Sequence, residues 1–240
     1  MWRKRMKDVN SYSLVEHLSE LRKRIIVILV FFILSSVASF SFIRPIMQEL
    51  ISIGEKYFEF IYLKPAELLT TYMRLAILVG IIISSPIIFL ETWLFIKPGL
   101  ERNSQKKIFI ALIFGMIMFF VGVTFSYLSV LPLSIRFFGN MKIEGIEPMI
   151  SISNYIGFLT SILLSFGIVF EMPVVIFILS KMKIVTYNML NKVRKYVYLA
   201  IVILAAIITP PDVISQILLS IPMILLYEFS IFISKLTDNN

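Results

Sequence analysis

The chain has 240 residues, 58% of them apolar and 14% aromatic, with a mean hydropathy of +0.90 and a formal net charge of +8. That is more hydrocarbon than a soluble core of this size can bury, so the chain is expected in a membrane and nucleic-acid binding is set aside. With no cysteine and a single histidine, His17, disulfides, thiolate metal sites and cysteine catalysis are excluded, and an intramembrane serine–histidine pair lacks its base.

The first legible element lies in the stretch SYSLVEHLSELRKRIIVILV. Ser13 and Glu16 have the spacing of a capping box, and Leu14, Leu18, Leu21 and Ile25 recur on one helical face with Glu16, Glu20, Lys23 and Arg24 opposite. This predicts an amphipathic helix at the membrane surface, before the chain turns into the bilayer. Glu20 has two readings: an intrahelical pair with Lys23 or Arg24, or a carboxylate kept for a cationic ligand.

Uncharged runs then predict six spans at 25–43, 70–94, 108–131, 153–180, 195–210 and 213–234. The first is expected to remain in the mature protein, because 24 residues precede it and no small-residue cleavage site follows. With the N-terminus inside, 17 of the 23 lysines and arginines fall on that side, which predicts both termini cytoplasmic. Between the first two spans, Arg44 to Leu68 reads as a polar loop containing a short helix or interfacial segment. A second loop, with Gly139, Gly145 and Pro148, is expected to cap the same face.

Pro86, Pro132, Pro173 and Pro222 sit in or at the ends of spans and predict a kinked bundle. The last two spans have uncharged stretches of only 16 and 15 residues, about 22–24 Å of helix, so they are expected to be short for the bilayer. No internal repeat or linker divides the chain, and one domain over 1–240 is expected.

Glu171, in SFGIVFEMPVVIF, lies deep in an apolar run, where a carboxylate costs on the order of 3 kcal/mol. It is either a packing hydrogen-bond acceptor or a functional group. Glu91 and Glu228, nearer the ends of spans, are read as reaching water or lysine partners. Asp212, in TPPDVISQ, reads as the N-cap of the last helix, and Gln216 continues its polar strip. An aspartyl protease would need two intramembrane aspartates, and no P-loop, dinucleotide fingerprint or metal cluster occurs, so no enzyme, cofactor or metal is expected.

Four segments, EHLSELRKR, SSPIIFLETWLFIKPGL, SFGIVFEMPVVIF and TPPDVISQILLSIPMILLYE, together resemble the TatC family, the multi-spanning core of the twin-arginine protein translocase. The resemblance implies an all-α protein of the cell membrane. It implies binding of twin-arginine signal peptides, recruitment of TatA and often TatB partners, and export driven by the proton-motive force. It places signal-peptide recognition at Glu20, Arg22 and Phe95, and partner-helix contacts at Glu171, Asp212 and Gln216. It also implies a homo-oligomeric complex in contact with lipid. The family usually carries a glutamate where this chain has Ser104, and Glu101 is the candidate to replace it. The competing reading is a small-molecule or ion transporter with Glu171 as its proton or cation site, a class that usually shows inverted repeats.

Overall fold

The structure, a computed structural model, describes residues 14–100, 102–141, 149–208 and 213–238. Its helices are α1 (Leu14–Phe40), α2 (Ile43–Gly54), α3 (Glu67–Ile96), α4 (Arg102–Phe125), α5 (Leu131–Asn140), α6 (Ile152–Val169), α7 (Met172–Lys181), α8 (Tyr187–Ile208) and α9 (Val213–Asp238). Two three-residue strands, β1 (Glu59–Ile61) and β2 (Met149–Ser151), pair in parallel with Phe60 opposite Ile150, a small addition to the expected all-α fold.

The amphipathic stretch does not lie on the surface as a separate helix. It is the first part of α1, which runs 27 residues without a break, about 40 Å. The physical reason is local: neither glycine nor proline occurs between Leu14 and Arg44, so nothing turns the chain where charge gives way to hydrocarbon. Ser13 of the expected capping box lies outside the described residues.

Among the described residues, five helical segments are long and apolar enough to cross a membrane by length and composition: Glu16–Phe40, Glu67–Gly99, Ser104–Asn140, Ile152–Lys181 and Leu219–Leu236. Of the expected span 195–210, residues 195–208 form the later part of α8, and Lys192, Arg194 and Lys195 keep that helix out of this group; 209 and 210 lie outside the described residues. The helices that hold the last two uncharged stretches are longer than those stretches: α8 has 22 residues and α9 has 26, the added turns carrying Lys192, Arg194 and Lys195 on one and Glu228 and Lys235 on the other.

The prolines act in two ways. Pro86 and Pro222 lie inside α3 and α9, which continue through them. Pro132 and Pro173 stand in the first turns of new helices, one after a π turn at Ser126–Val130 and one after the interruption at Phe170–Glu171. A proline lacks the N–H that a first helical turn leaves unused, so it starts α5 and α7 at no cost. The segment Arg44 to Leu68 holds α2 and β1, and α5 occupies the start of the second loop; Gly145 and Pro148 lie outside the described residues.

The main core forms where α2, α3, α5 and α6 meet, with Leu75, Leu131, Ile135, Ile156, Leu159 and Phe166 buried. A second cluster joins α7, α8 and α9 through Ile176, Ile201, Met223 and Tyr227, and the Tyr227 hydroxyl donates to the Leu190 carbonyl at 2.9 Å. α1 packs antiparallel along α3. Their backbones come close where Gly80 faces Ser36, whose Cα would lie 2.9 Å from any Cβ at position 80. At the far end of α3, the Glu67 carboxylate accepts the N–H groups of Leu63, Lys64 and Ser153 and the Ser151 hydroxyl. It thereby ties the two strand-bearing loops together.

α7 ends in a left-handed turn: Lys183 has φ +57°, the Ile184 N–H reaches the Leu179 carbonyl at 3.0 Å, and the Lys183 N–H reaches Ser180. This is the hydrogen-bond pattern that glycine usually closes, and a lysine there bears the Cβ penalty. Lys183→Gly should therefore stabilise the protein by about 1 kcal/mol, read as a higher midpoint of thermal unfolding in detergent.

Candidate functional site

The charged end of α1 meets the end of α3. Arg24 divides its guanidinium between two helices: Nη2 donates to Glu20 Oε1 at 2.9 Å within α1, and Nη1 donates to Glu91 Oε2 at 3.0 Å on α3. The side chain of Glu91 is 10% exposed and that of Glu20 31%. The expected intrahelical pair at Glu20 thus forms, with Arg24 as its partner. Glu91, read from the sequence as reaching water or lysine, is instead buried against an arginine. The forked guanidinium meets the two carboxylates with separate nitrogens, which the single nitrogen of a lysine does not offer.

One to two turns away, the His17 ring stacks on Phe95 with centroids 4.5 Å apart and planes 21° from parallel. Phe95 stands in the last turn of α3, and the chain then reverses through Lys97–Gly99, where Pro98 opens a tight turn. Gln105 in α4 closes that turn by donating to the carbonyls of Leu100 at 3.2 Å and Lys97 at 3.4 Å. Ser104 is half-buried in the same turn of α4, while Glu101 lies outside the described residues. Arg22 is exposed on α1. Beside the α1 stripe of Glu16, Ser19, Glu20, Lys23, Arg24 and Val27 runs an open groove of 510 Å³.

Glu171 belongs to a different part of the molecule. It sits at the interruption between α6 and α7, half-buried, with Oε1 enclosed and without a hydrogen bond among the described residues. Its other oxygen points at Gly115 of α4, where an added Cβ would come within 2.7 Å. The helix can pass this close to a carboxylate because position 115 has no side chain. Gln216 is on α9 and donates to the Val202 carbonyl of α8 at 3.0 Å, joining the two final helices; Asp212 lies outside the described residues.

Glu228 of α9 accepts from Arg194 at 2.5 Å and from the Tyr198 hydroxyl, both on α8. Its partner is again an arginine rather than the expected lysine or water. The structure thus brings Glu20 and Phe95 to one site and leaves Glu171 and Gln216 on other helix pairs. Sequence reasoning missed Glu91, His17 and Gly115 as members of these arrangements. The antiparallel register of α1 on α3 is the signal that aligns the first two.

The fold and its charged pairs define a multi-pass helical membrane protein with acid–base partners matched across helices near their ends. Residues 16–222 match the profile of a family described as Sec-independent protein translocase protein (TatC). The chain is 37% identical over 225 residues to the Carboxydothermus hydrogenoformans Sec-independent protein translocase protein TatC, covering 93% of each. It is 38% identical over 229 residues to the Aquifex aeolicus TatC, covering 93% of this chain and 95% of that one. A crystal structure of the twin-arginine translocase receptor TatC aligns with a TM-score of 0.83 at 35% identity, over 92% of this chain and 99% of that one. The chain belongs to the TatC family.

The Glu171–Gly115 contact is open to a direct test. Gly115→Ala should destabilise the wild type by about 1–3 kcal/mol in thermal unfolding. In a Glu171→Ala background the same change should cost clearly less, since only the 3.2 Å approaches to Phe89 and Val174 then remain and alanine gains about 1 kcal/mol over a mid-helix glycine.

Proposed function

We propose that this chain is the receptor and scaffold subunit of a twin-arginine translocase. It lies in the cell membrane as one six-span domain with both termini in the cytoplasm, and it binds twin-arginine signal peptides at the α1–α3 end. The observation that carries this reading is the two-acid arrangement at Glu20 and Glu91 around Arg24, of which Glu20 and Arg24 line an open groove along α1. A paired-arginine segment approaching a surface crowded with lysine and arginine needs a local carboxylate to offset the repulsion. A bidentate guanidinium gains more there than an ammonium does. Glu20 is the acceptor in this account, with Arg22 and Phe95 shaping the approach and Glu101 standing in for the glutamate absent at Ser104.

The remaining expected sites then serve assembly. Glu171, with one oxygen lacking a hydrogen bond among the described residues and the other against a glycine, is offered to a polar group on a partner helix of the TatA or TatB type. Gln216 bridges the α8–α9 pair, and that pair, together with Asp212 of the sequence, is where further partner helices would dock. Export of folded proteins is driven by the proton-motive force acting on a complex that contains several copies of this chain. The subunit itself performs no covalent chemistry.

Purified protein in nanodiscs and a labelled twin-arginine peptide test the reading. Wild type should bind this peptide and discriminate against a twin-lysine control, and Glu20→Gln should weaken binding about tenfold or more, the value of one charge-assisted pair. Equal binding of both peptides, unaffected by Glu20→Gln, would reject the receptor reading and leave Glu171 as the site of a transporter.

A further inference from the structure

Resting on the receptor reading, a second question arises at the same end of the bundle: Glu20 is not vacant. It already holds a guanidinium, that of Arg24, at 2.9 Å. An incoming arginine must either share the carboxylate or displace the resident cation, and displacement into a partly buried seam would leave a charge without its partner. Whether the site works depends on what Arg24 does when Glu20 is taken.

The geometry points to Glu91 as the positioning residue for this site: it retains Arg24 on α3 so that Glu20 can be given up to an incoming guanidinium. Three observations converge on this. Arg24 uses different nitrogens for the two acids, so the bond to Glu91 survives loss of the bond to Glu20. The Glu91 side chain is 10% exposed against 31% for Glu20, so attraction is less screened at Glu91 and the more exposed partner is the one that exchanges. Finally, the two acids and one base carry one net negative charge, which leaves the cluster short of one cation.

The same arrangement explains why the resident base is arginine. A lysine at position 24 would have to serve both acids from one nitrogen, so taking Glu20 away would move the same atom that holds Glu91. Arg24 therefore acts as a built-in competitor whose strength Glu91 sets. With Glu91 present, the competitor is parked; without it, the whole of Arg24's attraction falls on Glu20 and opposes the ligand. A seam that merely anchored α1 to α3 would make a different prediction, because loss of either partner would then loosen the site.

The experiment compares wild type, Glu91→Gln, Arg24→Met and the double variant, as full chains in nanodiscs, titrated with the labelled twin-arginine peptide and checked by thermal unfolding. Glu91→Gln should weaken binding about tenfold, and adding Arg24→Met should restore affinity to within about threefold of wild type, because competitor and holder are then both gone. Wild-type affinity in Glu91→Gln, or a double variant no tighter than Glu91→Gln alone, would overturn the inference. If Glu91→Gln fails to fold, Glu91→Asp withdraws the carboxylate by one methylene and should shift affinity the same way by less; unchanged affinity would again overturn it. Failure of the receptor reading looks different: twin-lysine and twin-arginine peptides would bind alike in every variant, and this inference would fall with it.

Discussion

A charged or hydrogen-bonding group inside hydrocarbon has to find its partner within the protein, and this constraint organises the molecule. Arg24 answers Glu20 and Glu91 across α1 and α3, and Arg194 and Tyr198 answer Glu228 across α8 and α9. Gln216 reaches the Val202 carbonyl, and Ser180 and Ser234 bond each other at 2.9 Å where α7 meets α9. Each pairing fixes the register of one helix on another, a task that apolar side chains perform weakly when lipid is as apolar as the helix surface. Glycines complete the work at Gly80 and Gly122, where neighbouring backbones come too close for a side chain.

Glu171 stands out against that background because only one side of its carboxylate is accounted for. Gly115 admits it to the face of α4, yet Oε1 is enclosed with no hydrogen bond among the described residues. The proposed role as a partner-helix contact rests on that oxygen and on the place of Glu171 at the interruption between α6 and α7. The α1–α3 site is the opposite case. Its acids are already satisfied, and its chemistry is one of exchange rather than capture.

Much of this was legible in the sequence where the signal is local. Hydropathy located the apolar runs, and the four-residue spacing of Glu20 and Arg24 announced their pair. Continuity of α1 was also written locally, in the absence of helix breakers, although the change from charge to hydrocarbon suggested a turn there. Contacts between distant segments were not legible. Arg24 and Glu91 are 67 residues apart, and nothing at position 91 distinguishes a buried ion pair from an acid reaching water. The strands β1 and β2, three residues each, are too short for an alternating pattern, and their pairing depends on Glu67 drawing two loops together. Family resemblance supplied candidate residues and set Glu20 and Glu171 on different helices, but it did not disclose that Arg24 already occupies Glu20.

The central claim is that the arginine pair of a signal peptide meets this chain at the α1–α3 end. A photoreactive residue placed next to that pair, activated after binding to the full chain in nanodiscs and mapped by mass spectrometry, tests it most directly. The account predicts adducts on the α1 segment around His17 to Val27 and on the α3 end around Glu91 to Lys97. Adducts concentrated on α4 and α7 around Gly115 and Glu171, with none on those two segments, would contradict it.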